Sequence, residues 1–221
     1  MDLSVVVPVF NNRNSLEELV RRINNACSEI TKKFEVILVD DGSQDASLSV
    51  LHEIAEKVPA AAVIALTRNF GQHAAISAGL DRAGGDVLVL MDADLQDPPE
   101  VIPELVRTLR QENVEIVYTR RRNTDLGRKK RATSDLFFGV FSKVTGTAVP
   151  RGIGTQRAFT RKVQLDLLRF GEYKILYGPL MNYLGHSHSV LDVNHAKRLS
   201  GKSSYSFSKR VTLAFDSLIS F

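Results

Sequence analysis

The sequence predicts an α/β protein built on a mostly parallel sheet with helices on both faces, and three observations predict it. Over the first 118 residues, short apolar and β-branched runs alternate with stretches whose apolar residues recur at helical spacing. The polar residues of that half collect after Val9, Val39, Leu66 and Met91, each time at the C-terminal end of a strand-like run. That is the edge where an open parallel sheet forms its binding crevice. Finally, 221 residues with 43% apolar and 24% charged content suit one full core of ordinary globular composition.

Leu3 to Val9 is continuously apolar apart from Ser4 and Pro8 and reads as a buried first strand. Leu16, Leu19, Val20, Ile23, Cys27 and Ile30 then fall at helical spacing, and Asn14 with Glu17 has the form of a capping box. Phe34 to Val39 is the second strand, followed by Asp40-Asp41-Gly42-Ser43-Gln44-Asp45 and a helix with Leu48, Leu51, Ile54 and Val58 on one face. Val63 to Leu66 is the third strand. After Arg68-Asn69-Phe70-Gly71-Gln72-His73 a helix rich in small residues runs from Ala74 to Ala83 and stops at Gly84-Gly85. Val87 to Met91 is the fourth strand. Pro98-Pro99 suits a helix start, with Val101, Ile102, Leu105, Val106 and Leu109 as the buried face, and Ile116 to Tyr118 is the fifth strand.

Beyond Tyr118 the alternation fails. Leu136, Phe137, Val140, Phe141 and Val144 predict a helix, Gly146 to Phe159 turns and a strand, Arg161 to Leu168 a short helix, and His188 to Val193 a strand. From Phe207 to Ile219 apolar residues recur at helical spacing beside Lys209-Arg210, which suits either a membrane surface or packing on the chain's own domain. No apolar run approaches the roughly 20 residues that span a bilayer, and no secretory signal pattern is visible at Met1-Asp2.

Charge is unevenly distributed. Residues 120–131 carry +6 and residues 193–215 carry +5, so the remainder of a chain at +4 stands at −7. The second half is expected to face something anionic: a phosphorylated substrate, anionic lipid or nucleic acid. The lone Cys27 excludes an internal disulfide and reads as a small buried hydrophobe. There is no Gly-x-Gly-x-x-Gly after the first strand and no Walker loop, which counts against dinucleotide dehydrogenases and P-loop enzymes. His186, His188 and His195 are spaced too loosely for a zinc site, and His73, Tyr173 and Tyr177 read as structural before they read as ligand contacts.

Asp92-Ala93-Asp94 is the most pointed motif. Two carboxylates one residue apart at the end of a buried strand can clamp a hard divalent cation, although a plain turn fits the triplet alone equally well. Taken together, Val7-Pro8-Val9-Phe10-Asn11, Val39-Asp40-Asp41-Gly42-Ser43-Gln44-Asp45, Arg68-Asn69-Phe70-Gly71, Met91-Asp92-Ala93-Asp94-Leu95-Gln96-Asp97-Pro98-Pro99 and the late Arg198 with Gly201-Lys202-Ser203-Ser204-Tyr205 resemble the inverting family 2 glycosyltransferases. Within them the chain is most similar to the polyprenyl-phosphate branch of dolichyl-phosphate mannose synthases and bactoprenol glucosyltransferases.

The resemblance implies a GT-A type fold and metal-dependent, inverting transfer of a hexose from a nucleoside diphosphate sugar to a polyprenyl (undecaprenyl or dolichyl) phosphate. It implies that Pro8, Phe10, Asn12, Asp40, Asp41, Arg68, Gly71 and Asp92 line the nucleotide pocket. Asp92, Asp94 and Gln96 would hold Mg²⁺ or Mn²⁺, and Arg120, Arg122, Arg198, Lys202 and Ser203 would bind the acceptor or diphosphate, with Asp92, Asp94 and Arg198 the catalytic set. It further implies a catalytic domain over 1–205 and an amphipathic juxtamembrane-type helix over 206–221, placed before transmembrane segments at the cytoplasmic face of a membrane, with an anionic membrane surface as partner and self-association left open. Two departures stand out: Asn12 where many relatives have Glu, and Thr155 near the position where many carry Asp. A lipid phosphate is already an anion and attacks without a general base, so the missing carboxylate favours a phosphate acceptor. The alternatives are the same fold with a hydroxyl acceptor, or a non-catalytic nucleotide or nucleic-acid binding module. The loop carboxylates would repel nucleic acid at the crevice.

Overall fold

The computed structural model of the protein describes residues 1–121, 152–170 and 177–193. Its strands are β1 (Leu3–Val9), β2 (Phe34–Asp40), β3 (Ala61–Ala65), β4 (Val87–Leu90), β5 (Ile116–Arg121), β6 (Ile153–Thr160) and β7 (His188–Val193). Its helices are α1 (Leu16–Ser28), α2 (Ser47–Lys57), α3 (Gln72–Arg82), α4 (Ile102–Gln111), α5 (Arg161–Arg169) and α6 (Tyr177–Tyr183), with a short 3₁₀ turn at Pro99–Val101. The strands form one sheet in the order β3-β2-β1-β4-β6-β5-β7. Every pairing is parallel except those of β6, which runs against both β4 and β5.

This order explains where the polar loops gather. The chain leaves β1 outward to β2 and β3, then returns to place β4 on β1's other side, so the loops after β1 and β4 diverge and open a crevice at their C-terminal edge. All seven residues of β1 and all four of β4 are buried, as central strands covered on both faces require. One apolar layer packs α1, α2 and α4 against the sheet through Leu16, Leu19, Ile23, Leu51, Ile102 and Leu105; the other packs α3, α5 and α6 through Ile76, Leu80, Val163, Leu167, Leu180 and Met181. Cys27 belongs to the first layer, and burial pushes its thiol up to about 12. Gly79 sets the approach of α3, because a Cβ there would stand 2.4 Å from Val6 Cγ1.

Several expectations shift. The capping box at Asn14 and Glu17 does not form: the residue before α1 is Ser15, which makes no side-chain cap. Its hydroxyl instead reaches Asn12 O at 3.0 Å and, across the crevice, Ala93 O at 2.9 Å. β3 begins at Ala61, two residues earlier than the β-branched pattern indicates, because its ladder with β2 starts there and overrides the weak strand preference of alanine. α3 begins at Gln72, before the expected Ala74, and α6 was not anticipated, since Gly178 and Pro179 inside it are turn signals. The helix expected over Leu136–Val144, the C-terminal amphipathic helix 206–221, and Tyr173 and His195 lie outside the described residues. No helix among the described residues is long and apolar enough to cross a membrane.

At the opposite edge of the sheet, Glu115 ties three elements together. Its carboxylate accepts from Lys162 Nζ of α5 at 2.5 Å, meets His186 Nδ1 at 2.9 Å, and accepts from the Ser187 N–H at 3.3 Å ahead of β7. The Lys162 and His186 contacts hold this carboxyl down at about 2, against an ordinary 4.5. A depressed carboxyl contributes stability above its unfolded pKa and loses it as pH falls through the folded one. The stability advantage of the wild type over Glu115→Gln, read from urea midpoints, is therefore expected to be full near pH 5.5 and to shrink progressively towards about pH 2. A difference that stays constant across that range would show that the ion pairs contribute nothing.

Candidate functional site

The Asp-x-Asp loop leaves β4 under tight control. Asp92 and Asp94 are half-buried between the buried Met91, Ala93 and Leu95. Leu95 has φ 59, a left-handed backbone that a branched side chain adopts at a cost of about 1–3 kcal/mol. Its burial in the core keeps the chain in that turn. The Ser15 hydroxyl holds Ala93 from the α1 side, and Gln156 Nε2 donates to Pro98 O at 3.1 Å from the β6 side. Arg22 of α1 forks onto Glu100 with contacts of 2.7 and 2.6 Å, fixing the turn that follows.

Asp92 sits among neutral donors. Gln72 Nε2, from the first residue of α3, donates to Asp92 Oδ1 at 2.7 Å, and the Thr155 hydroxyl hydrogen-bonds the same carboxylate from β6. Burial raises the Asp92 carboxyl above its ordinary range and the charge of Asp94 adds to this, while Thr155, Arg157 and Gln72 pull it back. Asp94 accepts from the Gln96 backbone N–H at 3.1 Å and from Gln96 Nε2 at 2.9 Å. The Gln96 carboxamide thus faces Asp94 as a donor, in the position of a holder of the carboxylate.

Among the described residues Arg157 is a buried cation of this region. It leaves β6 opposite Leu90 of β4, donates from Nε to Thr155 O at 2.9 Å and from a terminal nitrogen to Gly154 O at 3.2 Å, and sits over the Tyr118 ring at 5.5 Å. Burial lowers its pKa, with Tyr118, Asp92 and Asp97 opposing. Gly178 of α6 lies beside it, and a Cβ there would meet the guanidinium in ordinary van der Waals contact at 3.4 Å. Beside it His73 stacks on Tyr177 at 5.9 Å, and Tyr177 hydrogen-bonds Ser77. Burial, reinforced by Arg157, brings His73 down to about 4, so it is neutral at physiological pH.

The first two loops are laced to one another. The Asn11 N–H donates to Ser43 Oγ, the Gln44 N–H to Asn11 Oδ1, and the Asn12 N–H to Ser47 Oγ. Asn12 Oδ1 accepts from the Phe10 N–H at 3.3 Å, so the Asn12 side chain serves its own loop. Pro8 is buried within β1 and Phe10 is half-buried at its end. Asp40 and Asp41 are both buried but differ in use. Asp40 Oδ2 accepts from the Ser43 N–H at 3.0 Å, and Oδ1 is buried with no hydrogen-bond partner. Asp41 accepts from Asn69 Nδ2 at 3.0 Å and from the Phe70 and Gly71 N–H groups at 2.8 and 2.9 Å. Burial raises the Asp41 carboxyl, the Phe70 and Gly71 N–H groups lower it and Asp40 raises it. Arg68 stacks over the exposed Phe70 ring at 4.2 Å.

The structure therefore gathers Pro8, Phe10, Asn12, Asp40, Asp41, Arg68, Gly71, Asp92, Asp94 and Gln96 at one sheet edge. Arg120 is at the end of β5, where its guanidinium pairs with Asp192 of β7 at 2.6 and 3.0 Å. Arg122, Arg198, Lys202 and Ser203 lie outside the described residues. Sequence reasoning missed Gln72 and Arg157. Gln72 directly follows the Arg-Asn-Phe-Gly run, which is a signal, whereas Arg157 in a strand pattern gives none.

The donor set suits a hard divalent cation. Two carboxylates stand close enough for one to raise the pKa of the other, a repulsion that a cation would relieve. Among the described residues no group of three or more His, Cys, Asp or Glu gathers, so further ligands would come from diphosphate oxygens and water, as is usual for Mg²⁺.

Comparison with known proteins identifies the family. The profile described as Glycosyl transferase family 2 matches residues 4–168. An undecaprenyl-phosphate 4-deoxy-4-formamido-L-arabinose transferase of Photorhabdus laumondii subsp. laumondii is 38% identical over 218 residues, covering 98% of this chain and 66% of the relative. A protein of the same name from Pseudomonas syringae pv. syringae is 41% identical over 217 residues, covering 97% of this chain and 64% of the relative. The chain thus spans just under two thirds of the length of these curated relatives.

Among solved structures, a mannosyltransferase from Pyrobaculum calidifontis in complex with GDP-Man and Mn²⁺ superposes with a TM-score of 0.66 at 23% identity, over 91% of this chain and 58% of that one. Glucosyl-3-phosphoglycerate synthase from Mycobacterium tuberculosis, in complex with Mn²⁺, UDP and glucosyl-3-phosphoglycerate, gives 0.66 at 18% identity, over 99% of this chain and 78% of that one. At these identities the likeness carries the fold, which is of GT-A type. With the profile running from β1 through most of α5, the chain belongs to glycosyl transferase family 2.

Proposed function

We propose that this chain transfers a sugar from a nucleoside diphosphate sugar to a polyprenyl phosphate, with inversion at the anomeric carbon. The observation that carries the reading is 38–41% identity, across nearly all of the chain, to transferases named for undecaprenyl phosphate, with the Asp-x-Asp loop at the crevice. An acceptor phosphate oxygen attacks the anomeric carbon and forms the new C–O bond as the bond to the diphosphate breaks. A phosphate dianion needs no deprotonation, and the nucleoside diphosphate leaves with the electron pair. Thr155, near the position where many relatives carry Asp, directs its hydroxyl to Asp92 and provides no base, which favours phosphate over a hydroxyl acceptor.

In this reading Asp92 and Asp94 hold Mg²⁺ or Mn²⁺, which when bound offsets charge growing on the leaving diphosphate. Gln72 and Thr155 orient Asp92, and Gln96 orients Asp94. Asp40 Oδ1 offers an acceptor to a base N–H or a ribose hydroxyl. Arg198, Lys202, Arg122, Ser203 and Arg120 serve the acceptor phosphate, with Arg120 oriented by Asp192. The sugar is put to experiment: the relatives are named for an arabinose derivative, a pentose, whereas the branch resembled includes hexose transferases.

Incubation of the chain with polyprenyl phosphate, Mn²⁺ and a panel of UDP- and GDP-linked pentoses and hexoses should yield a lipid-linked sugar with one donor. No lipid product from any donor, alongside transfer to a hydroxyl acceptor, would overturn the phosphate-acceptor reading. Asp94→Asn should retain the fold and lose metal-dependent transfer by on the order of 100-fold or more; undiminished turnover would remove Asp94 from the metal set. Replacing Arg198 and Lys202 with Ala should raise the concentration of lipid phosphate needed for half-maximal rate by about 10-fold, and unchanged kinetics would favour the hydroxyl acceptor.

A further inference from the structure

We propose that Asp41 is a positioning residue that couples the nucleotide end of the crevice to its Asp-x-Asp end through residues 69–72. The inference rests on the donor-site reading above and gives Asp41 a role distinct from that of its neighbour Asp40. Both oxygens of the Asp41 carboxylate are occupied by one loop: Asn69 Nδ2 at 3.0 Å, the Phe70 N–H at 2.8 Å and the Gly71 N–H at 2.9 Å. The Asn69 amide also donates to the Asp41 carbonyl at 3.2 Å. A buried carboxylate so saturated is a holder of backbone, whereas Asp40 keeps a buried oxygen without a partner.

The loop it holds needs holding. Arg68, Asn69 and Phe70 are exposed and bury little apolar surface that could fix them. Two contacts determine their place: the Asp41 carboxylate and the backbone of Gly42. Gly42 has φ 65, and a Cβ there would stand 2.4 Å from the Arg68 carbonyl carbon, so only glycine lets the two loops lie this close. The next residue after the clamped Gly71 is Gln72, whose Nε2 reaches Asp92 Oδ1 at 2.7 Å. Asp92 is thus oriented by a side chain whose backbone is anchored one residue earlier to Asp41. The connection runs from a β2 loop to a β4 loop, although those strands are not neighbours in the sheet. Partners that orient a metal-binding side chain commonly change affinity by about 10- to 100-fold.

Calorimetric titration of the full chain with UDP and with GDP, each with and without Mn²⁺, tests this on wild type, Asp41→Asn, Gln72→Ala, the double variant and Asn69→Ala. Asparagine keeps the size of Asp41 but turns one acceptor oxygen into a donor facing the same N–H groups. The expected result is that Asp41→Asn and Gln72→Ala each reduce by about 10-fold the factor by which Mn²⁺ tightens diphosphate binding. The double variant should lose no more than the stronger single one, because both act on one chain of contacts. Asn69→Ala removes one amide, with its two contacts to Asp41, from an exposed residue, so it keeps the test open if Asp41→Asn does not fold, and it should shift the factor in the same direction. A purely structural role would weaken binding equally with and without Mn²⁺; that result, an unchanged factor, or additive losses would overturn the relay. Wild type that binds neither diphosphate more tightly with Mn²⁺ would overturn the donor-site reading and the relay together.

Discussion

Two carboxylates fixed one residue apart at the end of a buried strand repel each other, and the crevice is arranged around that repulsion. Asp92 cannot retreat into solvent, because Met91, Ala93 and Leu95 alternate with the carboxylates and are locked into the core. Neutral donors are the compatible neighbours: Gln72 and Thr155 on Asp92, Gln96 on Asp94. Among the described residues the buried cation Arg157 donates to backbone carbonyls of its own strand. The result is a pair of oriented carboxylates at the edge where a parallel sheet binds ligands.

The same economy of groups separates binding residues from holding residues. Asp40 and Asp41 are adjacent in sequence and both buried, yet Asp40 ends β2 and Asp41 opens the loop after it, and their side chains meet different surroundings. One is left with an open acceptor and the other is closed by a neighbouring loop. Asn12 and Ser15 likewise serve the loops they join, with Ser15 reaching across to Ala93. Specificity in such a site depends on how firmly a few exposed loop residues are fixed, and buried polar atoms fix them.

Much of the architecture was legible because it rests on periodicity. Buried parallel strands impose unbroken apolar runs, and covering helices impose a repeat of three and four, so β1, β2, β4, α1 and α4 lie where those patterns place them. The gathering of loop carboxylates at one edge followed from the same alternation. What the pattern could not carry was tertiary choice. Asn14 and Glu17 have the spacing of a cap, but the Ser15 hydroxyl has a partner 78 residues away, which no local rule contains. α6 was hidden by Gly178 and Pro179, which read as turn signals in the sequence. Arg157 became visible only when β6 was brought beside β4, and the contact of Gln72 with Asp92 is likewise long-range. Asp41 was expected to meet the nucleotide, and the loop contacts that occupy it are again long-range.

The central claim is that Asp92 and Asp94 together hold a divalent cation against a nucleoside diphosphate. Crystals of the full chain grown with Mn²⁺ and UDP or GDP, measured at the manganese absorption edge, test it most directly. The account predicts one strong anomalous peak within coordination distance of carboxylate oxygens of Asp94 and Asp92 and of the diphosphate. A bound diphosphate with no anomalous density between it and these carboxylates would contradict it.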